Sequence, residues 1–126
     1  MRLSGVVAVF IGAGIGGVLR YTLGGVMADR WGSTFPFHTM VINVAGSFLL
    51  GALMALSVDR GVVSAEMRLL LGVGVLGGFT TFSTLSYETV ALFEQGLRVQ
   101  GLLNMFGSAV LGIAAAVAGL LAGRSV

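Results

Sequence analysis

The run from Leu69 to Phe93, LLLGVGVLGGFTTFSTLSYETVALF, carries one carboxylate, Glu88, and no basic residue. At about 1.5 Å per residue, a helix of this length crosses a hydrocarbon core of about 30 Å. Its middle is a poor uninterrupted helix. In Gly77-Gly78-Phe79-Thr80-Thr81-Phe82-Ser83-Thr84, two adjacent glycines precede four hydroxyl residues in five positions. Glycine weakens a helix by about 1 kcal/mol relative to alanine, and Ser and Thr side chains compete for backbone partners. The pattern predicts a membrane span broken near its midpoint. Unpaired backbone at that depth is tolerated only when it is buried in protein or lines a wet cavity. Such a break frees carbonyls for a cation, and amides or hydroxyls for an anion. The competing reading makes the hydroxyls helix–helix glue and the glycines points of close packing, as in Gly12-x-x-x-Gly16, Gly74-x-x-x-Gly78 and Gly119-x-x-x-Gly123.

The remainder of the chain agrees with a membrane setting. Of its 126 residues 56% are hydrophobic and only 10% charged, with 21 Gly and no Cys, and the mean hydropathy is +1.02. Soluble domains carry about 25% charged residues, so this chain could not cover a water-facing surface. Charges cluster at Arg2, Asp29-Arg30, Asp59-Arg60, Glu66 with Arg68, Glu94 with Arg98, and Arg124. Between them run four apolar stretches, about 3–28, 37–58, 69–93 and 99–122, and these predict an all-α, four-span protein with a single membrane domain. No extramembrane catalytic domain fits beside four spans, so the chain does not read as an enzyme. The first stretch is too long for a secretory signal, whose apolar core is about 7–15 residues. The absence of Cys excludes disulfides, thiolate metal sites and a cysteine nucleophile. The net charge of +2 is too small and dispersed for nucleic acid.

Four spans place both termini and the loop near residue 60 on one side. That side holds Arg2, Arg60, Arg68 and Arg124; the other holds Arg30 and Arg98. So weak a positive-inside bias predicts insertion in both orientations, which allows an antiparallel homodimer. An internal echo points to a doubled construction, with chance matching of glycines as its alternative. Asn43-x-x-Gly46-Ser47-x-x-x-Gly51 recurs as Asn104-x-x-Gly107-Ser108-x-x-x-Gly112, and Gly16-Gly17 maps onto Gly77-Gly78, all at an offset of 61 residues. Each Asn-Ser-Gly set has i, i+4, i+8 spacing and forms one polar stripe on its helix.

Other candidates read as follows. Arg20 lies near the far end of span 1, where it either snorkels to the interface or lines an anion-attracting vestibule. Glu88 is read as an interfacial carboxylate rather than a buried proton carrier. His38 has no companion ligand for a metal. The G-x-G-x-x-G match at Gly12–Gly17 lies inside an apolar span with no room for a βαβ unit, so it does not mark a nucleotide site. The lining offers hydroxyls, amides and aromatic rings. Ring edges are partly positive, so Phe82 can face a small anion edge-on. Composition alone stops at a narrow polar pore for a small ion.

The run Gly77–Thr84 closely resembles the third-span signature of the Fluc/CrcB fluoride channels. So do Gly16-Gly17-Val18-Leu19-Arg20-Tyr21 and Val41-Ile42-Asn43-Val44-Ala45-Gly46-Ser47-Phe48, and the resemblance covers the whole chain. It implies a dual-topology antiparallel homodimer in the bacterial cytoplasmic (inner) membrane, with two pores that passively export fluoride and relieve its toxicity. It implies further that Gly77 and Thr80 give backbone carbonyls to a structural Na⁺ at the dimer axis, four around one ion, which is not transported. By the same resemblance Phe82 matches the first pore phenylalanine, Ser83 and Thr84 the hydroxyl pair beside it, Asn43 the pore asparagine and Ser108 a fourth-span pore serine. The chain departs from the pattern at Leu85, where the family commonly has a second phenylalanine, and it has no tyrosine in span 4. The main alternative, a small multidrug-type proton antiporter, needs a carboxylate in the middle of a span, typically the first, and span 1 has none. A holin-like assembly would not need polar stripes at matched depth.

Overall fold

The computed structural model describes residues 1–32 and 34–126. Four helical segments are long and apolar enough to cross a membrane: Leu3–Trp31, Phe37–Asp59, Ala65–Glu94 and Arg98–Ser125. They are named here α1 (Leu3–Trp31), α2 (Phe37–Asp59), α3 (residues 65–79) with α4 (Phe82–Glu94), and α5 (Arg98–Ser125). Between α3 and α4 the backbone is extended, with Thr80 at φ −82°, ψ 156° and Thr81 at φ −150°, ψ 117°. Glycines at positive φ (Gly32, Gly61 and Gly96) lie in the connections between spans, where a left-handed residue ends a helix at little cost.

The third span begins at Ala65, ahead of the apolar run at Leu69, because Ser64 caps it. The Ser64 hydroxyl accepts the Met67 amide at 3.1 Å, and Glu66 sits in the first turn, where the helix dipole favours a negative charge. Charge content alone had marked Glu66 and Arg68 as loop. At the other end of α2, Asp59 pairs with Arg124 (Oδ2 to Nε, 2.8 Å). Arg60 donates to the Arg124 carbonyl at 3.1 Å and to the carbonyl of Val126. The loop near residue 60 and the C-terminus therefore meet on one side.

Backbone-to-backbone approach holds the helices together. A Cβ on Gly74 would stand 2.9 Å from the Gly12 Cα, and one on Gly78 would stand 2.9 Å from the Ala13 Cα. A Cβ on Gly119 would run into the Phe48 carbonyl of α2. The small-residue motifs thus zip α1 to α3 and α5 to α2, as packing in lipid requires. Burial is inverted relative to a soluble protein. Thr39, Ser57, Thr89, Asn104 and Ser108 are buried, whereas Phe10 (81% exposed) and Ile113 (68%) face outward. With hydrocarbon as the solvent, outward apolar groups cost nothing, and the polar groups turn inward to find partners.

Candidate functional site

The polar centre is built around Thr80 and Thr81. Asn43 of α2 reaches this extended pair and binds both backbone groups of Thr81: Nδ2 donates to the Thr81 carbonyl at 3.0 Å, and Oδ1 accepts the Thr81 amide at 2.8 Å. Thr81 then starts α4 as its N-cap, its hydroxyl accepting the Thr84 amide at 3.2 Å. Thr80 closes α3, its amide and hydroxyl both donating to the Leu76 carbonyl at 3.0 and 2.9 Å.

These bonds have a consequence for two carbonyls. In a continuous helix the Thr81 amide would serve the Gly77 carbonyl and the Thr84 amide would serve that of Thr80. Here the first amide goes to Asn43 and the second to the Thr81 hydroxyl. The carbonyls of Gly77 and Thr80 each lose their i+4 donor. Of the two carbonyls between them in the series, that of Gly78 is served by Arg20 Nε at 3.3 Å.

Two clefts flank this centre and share Thr81. The first, about 400 Å³, gathers Asn43 and Ser47 of α2, Gly77, Thr80 and Phe82, and Ser108 of α5. Leu85 and Met105 contribute apolar wall. The second, about 440 Å³, gathers Arg20 and Tyr21 of α1, His38 and Thr39 of α2, and Thr84. The candidate residues are therefore divided: Asn43, Phe82 and Ser108 line one cleft, Arg20 and Thr84 the other, and Ser83 lies exposed outside both.

Donor capacity can be counted in each. Asn43 keeps a second N–H after its bond to Thr81. Ser108 is buried and its Oγ has no protein partner. Ser47 is committed, donating to the Asn43 carbonyl at 2.7 Å. In the second cleft, Thr81 gives its hydroxyl proton to Thr84 Oγ1 at 3.0 Å, which leaves the Thr84 hydroxyl proton free. Arg20 adds the positive charge. Each cleft thus presents O–H or N–H donors beside apolar wall, a setting suited to a small, partly dehydrated anion. Phe82, 80% exposed in the single chain, puts its ring at the open side of the first cleft.

Sequence reasoning did not find three contacts. Glu88 Oε2 accepts the Thr39 hydroxyl at 3.0 Å and lies 3.4 Å from His38 Nε2, so His38 has a carboxylate companion. Asn104 is fully buried and donates to Thr89 Oγ1 at 3.0 Å. No sequence spacing connects these pairs. Thr81 was not singled out in the sequence either, although a hydroxyl residue just ahead of a restarting helix is a usable signal.

These features define a four-span α-helical membrane protein with a polar, donor-lined interior at the level of the extended pair. The family model described as "CrcB-like protein, Camphor Resistance (CrcB)" matches residues 7–120, and the chain belongs to this family. It is 48% identical over 118 residues to the "Fluoride-specific ion channel FluC" of Thermus thermophilus, covering 94% of each chain. It is 45% identical to the protein of that name from Roseiflexus over 86% of this chain and 88% of the relative. With that from Geobacter sulfurreducens it is 39% identical over 98% of this chain and 100% of the relative.

Proposed function

We propose that the protein is a fluoride channel that lets the ion leave the cytoplasm passively, across the cytoplasmic membrane of a bacterium. The observation that carries this is the donor-lined cleft at the Asn43–Thr81 clamp, in a chain so similar to relatives named fluoride-specific ion channels. Asn43, Phe82 and Ser108 form one stretch of the pathway, and Ser83 and Thr84 continue it past Thr81. Arg20 draws the anion toward the second cleft. Leu85 keeps the apolar bulk of a ring without its quadrupole, so Phe82 alone supplies a polarised edge in that pair. The proton-antiporter alternative has nothing in its favour: α1 holds no carboxylate before Asp29.

The functional unit we infer is an antiparallel homodimer, with the third span broken where the chains meet. Two features support it: the weak Arg asymmetry of the loops, and a cleft left open beside an exposed Phe82. A structural Na⁺ fits the same arrangement. The Gly77 and Thr80 carbonyls are among those at the break that lose their helical donors, which go instead to Asn43 and to the Thr81 hydroxyl, and hard oxygen donors suit a hard cation. Na⁺, when bound, would supply positive charge to these carbonyls. The chain holds Thr80 by its own bonds to Leu76.

The decisive experiment is efflux of fluoride from liposomes containing the purified protein, with chloride as control. Fluoride flux well above chloride flux is expected. Equal flux of both, or none of either, would refute the reading. Tags on the C-terminus should report both sides of the membrane in similar amounts, and a one-sided result would exclude the antiparallel dimer.

A further inference from the structure

Glu88 is the one carboxylate set well inside a span, and it stands beside a cleft that we assign to an anion. Its Oε2 holds the Thr39 hydroxyl (3.0 Å) and approaches His38 Nε2 (3.4 Å). Its Oε1 and the His38 Nδ1 are buried and have no protein partner. Both side chains are only partly covered in the single chain, 23% (His38) and 18% (Glu88) exposed. His38 and Thr39 line the second cleft together with Arg20, Thr81 and Thr84.

Two consequences follow from this geometry. A bare carboxylate here repels the anion that Arg20 attracts. It also takes the Thr39 hydroxyl proton, so Thr39 turns lone pairs rather than a donor toward the cleft. One proton relieves the repulsion wherever it binds. Placed on His38 Nε2, it makes an imidazolium that cancels the carboxylate. Placed on Glu88 Oε2, it removes the negative charge and frees the Thr39 hydroxyl to donate.

We propose that His38 and Glu88 bind one proton between them, taken from the adjoining water, and that this proton admits the anion to the Arg20 cleft. The inference rests on the fluoride-channel reading and names a residue pair that regulates it. The groups facing the pair are known: Arg20 and Tyr21 from α1 share the cleft. Among the described residues the other ion pair, Arg124–Asp59, ties α5 to the end of α2 by the loop near residue 60.

The test is fluoride efflux from liposomes at equal internal and external pH, from about pH 6 to about pH 9, with leak through protein-free vesicles subtracted. Native flux should fall by about 10-fold or more toward the alkaline end, the scale of one uncompensated unit charge near the path. His38→Gln removes one of the two proton acceptors, so its flux should already be low near neutrality and recover only at more acidic pH. Glu88→Gln, which removes the charge, should conduct at a level that varies less than about twofold across the range. His38→Gln added to Glu88→Gln should then change nothing, since the two act through one proton. Size-exclusion chromatography checks that each variant is assembled. Superimposable pH profiles for native protein and His38→Gln would overturn the proposal, as would a full pH response in Glu88→Gln. Absence of native fluoride flux at every pH would instead bring down the channel reading beneath it.

Discussion

The polar stripes of α2 and α5 share one sequence pattern, Asn-x-x-Gly-Ser-x-x-x-Gly, yet their asparagines do different work. Asn43 spends both ends of its amide on the backbone of Thr81. Asn104 gives one N–H to the Thr89 side chain, and its Oδ1 is left without a protein partner. The first holds open a stretch of main chain that has no helical partners of its own. The second joins two helices whose backbones are already satisfied. An amide in a membrane is thus worth what its partner would lose without it, and main chain in hydrocarbon loses most.

Substitution at the two positions tests that contrast. Asn43→Leu leaves the Thr81 N–H and C=O without partners at mid-depth, each costing several kcal/mol. Fluoride flux should fall by about 100-fold or more, since each 1.4 kcal/mol is about tenfold, while chromatography still shows the proposed dimer. Undiminished flux would remove Asn43 from the pathway and erase the contrast. A smaller effect is expected where the clamp frees the carbonyls. Gly77→Val places a β-branched residue beside them and should lower flux about 10-fold. Thr80→Ser keeps both the carbonyl and the hydroxyl bond to Leu76, and should stay within about twofold. By the proposed role of Na⁺, replacing it by a large organic cation should weaken the proposed dimer or its flux. ²²Na⁺ uptake in the same liposomes should stay at background, and uptake in proportion to fluoride would point to a coupled transporter. Asn104→Leu is expected to do least. Interhelical hydrogen bonds of this kind average about 0.6 kcal/mol, so thermal melting in detergent should shift slightly and flux should hold within about twofold. A collapse of flux in Asn104→Leu would show that the two stripes are equivalent after all.

The span count was legible because charge is so costly in hydrocarbon that its placement alone outlines four helices. The polar run at Gly77–Thr84 was legible for a related reason, since glycines and hydroxyls clustered at one depth conflict with a plain helix. The partners of that run were not. Asn43 read as a donor to an anion, whereas one N–H and its Oδ1 go to main chain 38 residues away and only the second N–H remains. Arg20 read as a snorkelling or vestibule residue, and it in fact serves the Gly78 carbonyl while lining a cleft. His38 and Glu88 looked solitary because neither periodicity nor motif links positions 50 residues apart. Periodicity reports which face of a helix is polar. It carries no information on which other helix that face will meet.

The glycine contacts between α1 and α3, and between α5 and α2, bear on how the molecule tells small ions apart. Where backbone touches backbone there are no rotamers to adjust and little slack to take up, so each helix pair behaves as a stiff strut. The first cleft lies between the two struts, with Asn43 and Ser108 on one and Gly77 on the other. A gap framed in this way keeps its width when a larger ion presses on it, and that ion must then bear the misfit itself. Size discrimination in such a channel would originate partly behind the lining, in residues that never touch the ion. Adding one methyl group at Gly12 or Gly74 would be felt as a change in aperture.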